Sequence, residues 1–279
     1  MQRNKLRRSY SSLWKSTRGI AIPVTFLMLF VSLTLIVSAT YYFAVMQINI
    51  NNQEVKVSAA KQRMLSLEKT IQSLAWSPGS YEIYEFEDLG GKLKTDATAK
   101  RLVMNLTDDS SFYDVFFNSS VGKVAYQLPT TEDTNHVFLK GDNRVVVNQS
   151  STTMTQLYMT MGETSPEITL SYRPLAGSAV TEQSGGKPTN RLRIYVVNLN
   201  SSETMTMQGK FRVKVACVNV TSTWENYDFS SPLTALTLKV SLDGVSGTVS
   251  LPITSNVNGA LVDVETVVCN IKIQSAGVL

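Results

Sequence analysis

The sequence predicts an α+β protein. One long N-terminal helix, transmembrane at its base and amphipathic above, precedes a predominantly antiparallel β-sandwich ectodomain. Three observations carry this expectation. From Val24 to Ser77, 54 consecutive residues contain neither Gly nor Pro, and Pro78-Gly79 then ends the run. Ile20 to Met46 holds no charged side chain. Beyond Ser80 the hydrophobic period changes from helical to alternating, in short Val-, Ile-, Tyr- and Thr-rich stretches broken by Gly, Asn and Ser.

The chain divides by composition into a basic leader (1–19), a transmembrane segment (20–46), an amphipathic stalk helix (47–77) and an extracellular all-β head (78–279). As a helix, the uncharged segment would be ~40 Å long at about 1.5 Å per residue. A bilayer core needs about 20 apolar residues, so the segment spans with some tilt. Residues 1–18 carry six of the 26 basic side chains and no acid, which leaves 20 basic against 22 acidic residues beyond them. The positive charge therefore belongs to a membrane flank, and the rest of the chain offers no basic surface for nucleic acid. By the positive-inside rule, residues 1–18 are expected in the cytoplasm and residues 47–279 outside. Trp14 and Tyr41-Tyr42 are the expected interfacial anchors. The apolar run is about twice the 7–15 residues of a secretory h-region, and cleavage beyond it would cut the long helix. Retention of the helix is the expectation.

Immediately before the apolar run stands Lys15-Ser16-Thr17-Arg18-Gly19-Ile20. A basic residue, then Gly, then an uninterrupted apolar helix resembles the class III signal of type IV pilins and archaellins, especially the archaeal ones. The resemblance implies a prepilin-type peptidase that cuts near Gly19, at Arg18, Gly19 and Ile20, and leaves the helix on the mature protein. It also implies a homo-oligomer or filament built through that helix. Archaeal members often carry Pro shortly after the cut, where Pro23 stands here. The bacterial pattern places Glu five residues after the cut, and this chain has Val24. The resemblance covers residues 15–75. The alternative is an uncleaved signal anchor, which would make the protein a single-pass adhesin or ligand-binding ectodomain that does not polymerise.

The stalk carries its own pattern. Ile50, Val57, Met64 and Ile71 recur every seven residues, and Gln53, Ala60, Leu67 and Leu74 fill the matching second positions. Only Gln53 of these is polar, so Ile50, Val57, Ala60, Met64, Leu67, Ile71 and Leu74 form a two-position seam flanked by charges of both signs. Such a seam is expected to pack on the chain's own head, on a second copy, or on both. In pilins the upper half of the helix packs on the β head and the lower half between subunits.

Trp76-Ser77-Pro78-Gly79-Ser80 reads as a helix stop and turn. Strands are then expected at Tyr81–Glu87, Arg101–Thr107, Phe112–Asn118, Val121–Leu128, Arg144–Asn148, Gln156–Met161 and Glu167–Arg173. Further strands are expected at Arg191–Leu199, Gly209–Thr221, Leu233–Leu242, Gly247–Ile253 and Val262–Ile273. The Gly- and Ser-rich segment 176–190 reads either as a boundary between two β modules or as one long hairpin loop. Five Asn-x-Ser/Thr sequons, at Asn105, Asn118, Asn148, Asn200 and Asn219, all lie in the head. They are expected at strand ends or in loops, as glycosylation sites of a surface protein. Cys217 and Cys269 read equally as a disulfide in an external compartment or as buried free thiols.

No catalytic constellation stands out. His136 is the one histidine and sits beside a polar loop, Thr131–Asn135, with no Gly-x-Ser-x-Gly elbow in the chain. One His and two distant Cys do not supply zinc spacing. Gly185-Gly186-Lys187-Pro188 lacks the leading Gly and the following helix of a phosphate loop. The acids Glu82, Glu85, Glu87 and Asp88, and Asp108-Asp109, read as a solvated strand face and an Asp turn. No enzyme activity, cofactor or metal is expected. The expected role is a cell-surface, pilin-like subunit displaying a glycosylated head.

Overall fold

The computed structural model describes residues 18–129, 136–149, 153–184 and 186–278. The basic leader up to Thr17, the loop Thr131–Asn135, Ser150 of the Asn148 sequon and Gly185 lie outside the described residues. One helix, α1, runs from Arg18 to Leu74, so Arg18, Gly19 and Ile20 form its first turn. Pro23 lies inside α1, where it deprives the Gly19 carbonyl of a helical donor. The chain divides into two compact units between Asn52 and Gln53, in the middle of this helix.

Among its described residues, the first unit is helix alone. Every side chain from Pro23 to Lys56 is exposed, and the helix is long and apolar enough to cross a membrane, with a mean hydropathy of 2.0 over an 18-residue stretch. Three of its hydroxyls turn back on their own backbone. Ser32 donates to the Leu29 carbonyl (2.9 Å), Thr34 to Phe30 (2.8 Å) and Thr40 to Ile36 (2.8 Å). A bilayer offers no other partner for such groups, so this pairing suits a lipid-facing helix.

The second unit is largely β. Its strands are β1 (Tyr81–Phe86), β2 (Lys92–Thr107), β3 (Tyr113–Gln127), β4 (Val137–Lys140) and β5 (Val147–Asn148). Then follow β6 (Thr155–Met161), β7 (Pro166–Tyr172), β8 (Leu175–Ser184), β9 (Lys187–Asn198) and β10 (Met205–Gln208). The last are β11 (Phe211–Phe229), β12 (Ala235–Leu242), β13 (Val245–Pro252) and β14 (Ala260–Val278). One sheet has the order β1-β11-β14-β9-β8-β5, and the other β13-β12-β2-β3-β7-β6-β4 with β10 on β2. Two pairings run parallel, β9 with β14 and β5 with β8. Alternation within a strand does not encode the direction of its neighbour, which is why these could not be read from the sequence.

Several expected strands are longer or merged. Phe112–Asn118 and Val121–Leu128 join into β3, and β11 and β14 each run for 19 residues. Residues 176–190 form the antiparallel β8–β9 hairpin, with Gly186 at positive φ in its turn. The sequence left a module boundary and a long hairpin loop both open there, because its small residues carry little hydrophobic signal.

Two separate buried clusters fill this unit. The first gathers Ala60, Met64, Leu67, Ile71 and Leu74 of α1 with Phe86, Leu93, Tyr126, Leu170, Phe211, Val213 and Ile271. The second contains Leu102, Met104, Leu106, Leu192, Ile194, Leu238, Val240, Val262 and Val264, and no helix residue. The strands change face between the two. In β9, Leu192, Ile194 and Val196 belong to the second cluster but Val197 to the first; in β14, Val262 and Val264 belong to the second but Cys269 and Ile271 to the first. The β9–β14 register is unbroken from Leu261 to Asn270, so the odd and even residues lie on opposite faces. In β3, Val121 and Val124 make the same switch. Both sheets therefore turn one face to the first cluster and the other face to the second, and they cross in between.

Gly122 marks the crossing. A Cβ there would lie 2.6 Å from the carbonyl oxygen of Leu199, just past β9 of the first sheet, and 3.0 Å from that of Asp96 in β2, the neighbour of β3 in the second. Nearby, the Asn198 amide donates to the Ser120 carbonyl (3.2 Å), and β2 takes its register shift between Asp96 and Lys100. Gly122→Ala should lower the melting temperature of the full-length chain in detergent micelles by roughly 3–10 °C, since forced overpacking costs about 1–3 kcal/mol. An unchanged thermal transition would mean that the crossing has room to relax.

Candidate functional site

The part of the molecule where sequence-predicted residues converge is the joint between the upper helix and the β domain. Ala60, Met64, Leu67 and Ile71 are completely enclosed, Leu74 nearly so, and Val57 is partly covered. Ile50 remains exposed. The seven-residue spacing places these side chains on one stripe, and fully burying such a side chain contributes about 1.5–3 kcal/mol. Tyr84 of β1 adds a hydrogen bond from its hydroxyl to the Arg63 carbonyl (3.1 Å), and Arg63 pairs with Glu87 (3.0 Å).

A polar lock sits beside the stripe. Glu68 is buried on the helix, and its carboxylate accepts from Lys140 Nζ of β4 at 2.7 Å and from the Thr155 hydroxyl of β6 at 2.6 Å. Gln72, one turn on, donates to the same Thr155 hydroxyl at 3.1 Å. A buried carboxylate without partners would be costly, so the helix docks with only one rotation that satisfies Glu68. Sequence reading missed this lock because its partners lie 72 and 87 residues away from Glu68. Tyr172 is buried nearby, and burial followed by the Glu68 charge pushes its phenol well above the usual tyrosine range.

The helix stop is built around the two cysteines. Trp76 takes a left-handed conformation with φ of 70°, stacks edge-on against Tyr195, and donates its backbone N–H to Cys269 Sγ at 3.4 Å. Gly79 N–H donates to the Cys217 carbonyl (2.8 Å), and Cys217 N–H to the Ser80 carbonyl (3.0 Å). Both thiols are fully buried, with sulfurs 3.6 Å apart. Burial pushes the Cys269 thiol up to about 12.

The five sequons divide by environment. Asn118, Asn148 and Asn219 are exposed, and Asn200 is half-buried in the turn after β9. Asn105 lies in β2 between β3 and β12, with its side-chain oxygen buried and unpaired. Asn118 and Asn219 also lie within strands, β3 and β11, rather than at ends or in loops. Two expected strands merge in β3, and β11 continues eight residues past the expected end at Thr221, which accounts for this difference.

Most of the singled-out acids are engaged in structure, and Glu82 is exposed. Glu85 pairs with Lys210 (3.0 Å) and Arg212 (3.5 Å), while Asp88 accepts from Gly90 N–H (2.9 Å). Asp109 pairs with Lys239 (2.7 Å). Asp108 accepts from the backbone N–H groups of Phe112, Ser110 and Ser111, which hold its carboxyl well below the usual range. Asp108 lines an open cleft of about 780 Å³ with Phe112, Tyr227 and Phe229, where the Tyr227 hydroxyl donates to Asp114 at 2.6 Å. No group of three or more His, Cys, Asp or Glu able to hold a metal occurs among the described residues. His136 packs between Phe138 and Tyr158, with ring centres 4.8 and 4.7 Å away.

A second polar cluster, around one buried arginine, fixes the turn after β4. Arg173, almost fully enclosed, donates to the carbonyls of Asp142 and Arg144 and pairs with the Asp142 carboxylate. Asp142 also binds Arg144, and Arg144 first, then Arg173, holds its carboxyl well below the usual carboxylate range.

Compared with protein families, characterised proteins and solved structures, the chain matches none.

Two measurements test these networks. Lys140→Ala, which leaves Glu68 buried with hydroxyl support alone, should cost about 1–3 kcal/mol in denaturant unfolding of the full-length chain. Glu68→Gln should cost less, because an amide can stay hydrogen-bonded there; equal losses would count against the lock. Asp142 contributes stability above the unfolded carboxyl value of about 3.9 and loses it as pH falls through its lower folded value. The difference in melting temperature between wild type and Asp142→Asn should therefore be largest near neutral pH and shrink below about pH 4. A constant difference would show that the Asp142 charge is not what Arg173 requires.

Proposed function

We propose that this protein is a cell-surface structural or assembly protein, a pilin-like subunit that displays a glycosylated β-sandwich head on a membrane-inserted helix. The observation that carries the proposal is the single helix Arg18–Leu74. Its lower stretch is apolar and uncovered, and its upper stretch forms part of the core of the β domain. A removable signal has no need to continue into a folded core, so the helix is read as a permanent part of the mature protein. The basic flank places residues 1–18 in the cytoplasm and the head outside. Arg18-Gly19-Ile20 is the processing site of a prepilin-type peptidase, and the uncovered apolar helix supplies the surface for lipid and for other copies. Asn118, Asn148 and Asn219 are the sequons whose exposure suits a glycan. Val24, standing where the bacterial pattern has Glu, favours a second reading. In it the leader stays on, and the head is a signal-anchored adhesin or ligand-binding ectodomain that never polymerises.

Intact-mass measurement of the protein from native membranes separates the two. A processed subunit should start near Gly19 or Ile20, and Gly19→Leu should accumulate a precursor roughly 2 kDa heavier. A wild-type protein that retains the leader leaves only the anchor. Protease added to intact cells should remove the head; protection of the head would overturn the surface assignment in both forms.

A further inference from the structure

We propose that Cys217 and Cys269 are joined as a disulfide in the mature protein, a staple across β11 and β14 at the point where the helix ends. The chain has two cysteines in all, so neither has a competing intramolecular partner. Both are fully buried, on adjacent antiparallel strands, with sulfurs in contact at 3.6 Å. The contact sits beside an irregularity of register. Cys217 pairs with Ile271 and Cys269 with Val220, and the shift between Cys217 and Asn219 leaves Val218 bulged and exposed. Ile271 and Cys269, two residues apart in β14, share a face, so Cys217, opposite Ile271, lies diagonally across from Cys269 on that face. A bond needs the sulfurs to close to about 2.05 Å, within reach of modest side-chain rotation from the observed contact.

The location gives the bond its consequence. Cys217 holds both Gly79 and Ser80 through its backbone, and Cys269 Sγ accepts from Trp76 N–H. The covalent link would therefore sit directly beside the turn that carries the chain from α1 into β1. It would tie the two longest strands together where any pull on the membrane helix enters the β domain. This consequence, and the oxidising surroundings it needs, rest on the proposed external placement of the head.

The chemistry balances with a disulfide oxidant, either a small-molecule disulfide or an oxidised dithiol protein. One cysteine thiolate attacks the oxidant's S–S bond, forming a mixed disulfide and releasing one thiol. The second cysteine attacks the mixed disulfide, forming the Cys217–Cys269 bond and releasing the other thiol. Two S–H bonds are lost, and two electrons and two protons reduce the oxidant. The burial that holds the Cys269 thiol up to about 12 leaves little thiolate once the chain has folded. The bond is therefore made during folding, before β14 closes on its neighbours, and is shielded from reductant afterwards.

Full-length protein taken from native membranes into denaturant with a thiol-alkylating reagent is weighed before and after reduction. The expected result is no alkyl group before reduction and two after. Two alkyl groups before reduction overturn the proposal. Protease treatment of the same cells keeps the readings apart, because an accessible head with both thiols free rejects the bond and leaves the surface placement intact. A second measurement does not depend on location. The full-length chain, reduced and unfolded, is refolded in micelles with reduced and oxidised glutathione. The product should be lighter by two hydrogens and melt several degrees above the Cys217→Ala/Cys269→Ala variant. A product with free thiols, with glutathione on either cysteine, or with no gain in melting temperature overturns the staple.

Discussion

A single uninterrupted helix has to satisfy two different surroundings, and the packing of its upper turns is what the β domain is built on. Below Val57 every described side chain is exposed, and most are apolar up to Met46, which suits lipid. From Ala60 onward the same helix supplies the enclosed side chains Met64, Leu67 and Ile71 to the first cluster. They share that cluster with residues from strands of both sheets, so removing the helix would empty one of the two cores rather than uncover a surface. The first cluster is for this reason a property of helix and sheets together.

Hydrophobic burial sets how strongly the helix docks, but it does not set the rotation. A stripe of Leu, Ile and Met tolerates small slips, because dispersion contacts are individually weak and non-directional. Glu68 removes that freedom. Its two oxygens are met by Lys140 and Thr155 at hydrogen-bond distance, and a rotated helix would bury a carboxylate with no donor. Trp76 and the cysteine pair then fix the exit of the helix, so both its angle and its end are specified by directional contacts.

The crossing of the sheets follows from the length of the strands. β2, β3, β11 and β14 are each 15 residues or longer, and β-strands of that length twist strongly. A twisted pair of sheets cannot keep the same faces together along its whole length, and here it resolves the conflict by exchanging faces. The exchange needs close backbone approach, which Gly122 permits, and register shifts, which β2 and β11 provide. One end of the unit is then filled by the helix and the other by direct contact between sheets.

Much of this was legible in the sequence wherever the signal is local. The uncharged run, the absence of Gly and Pro from Val24 to Ser77, and the seven-residue seam define the helix, its apolar base and the stripe that is buried, because helical period and hydropathy are properties of neighbouring residues. The helix stop at Pro78-Gly79 and most strands are of the same kind. Only tertiary structure decided the rest. The parallel pairing of β9 with β14, the exchange of buried faces at Val196–Val197, the partners of Glu68 and the meeting of Cys217 with Cys269 all join residues far apart in the chain. Alternation says which residues share a face of a strand. It does not say which strand lies alongside, because that is settled by how the twisted sheets and the helix exclude one another in space.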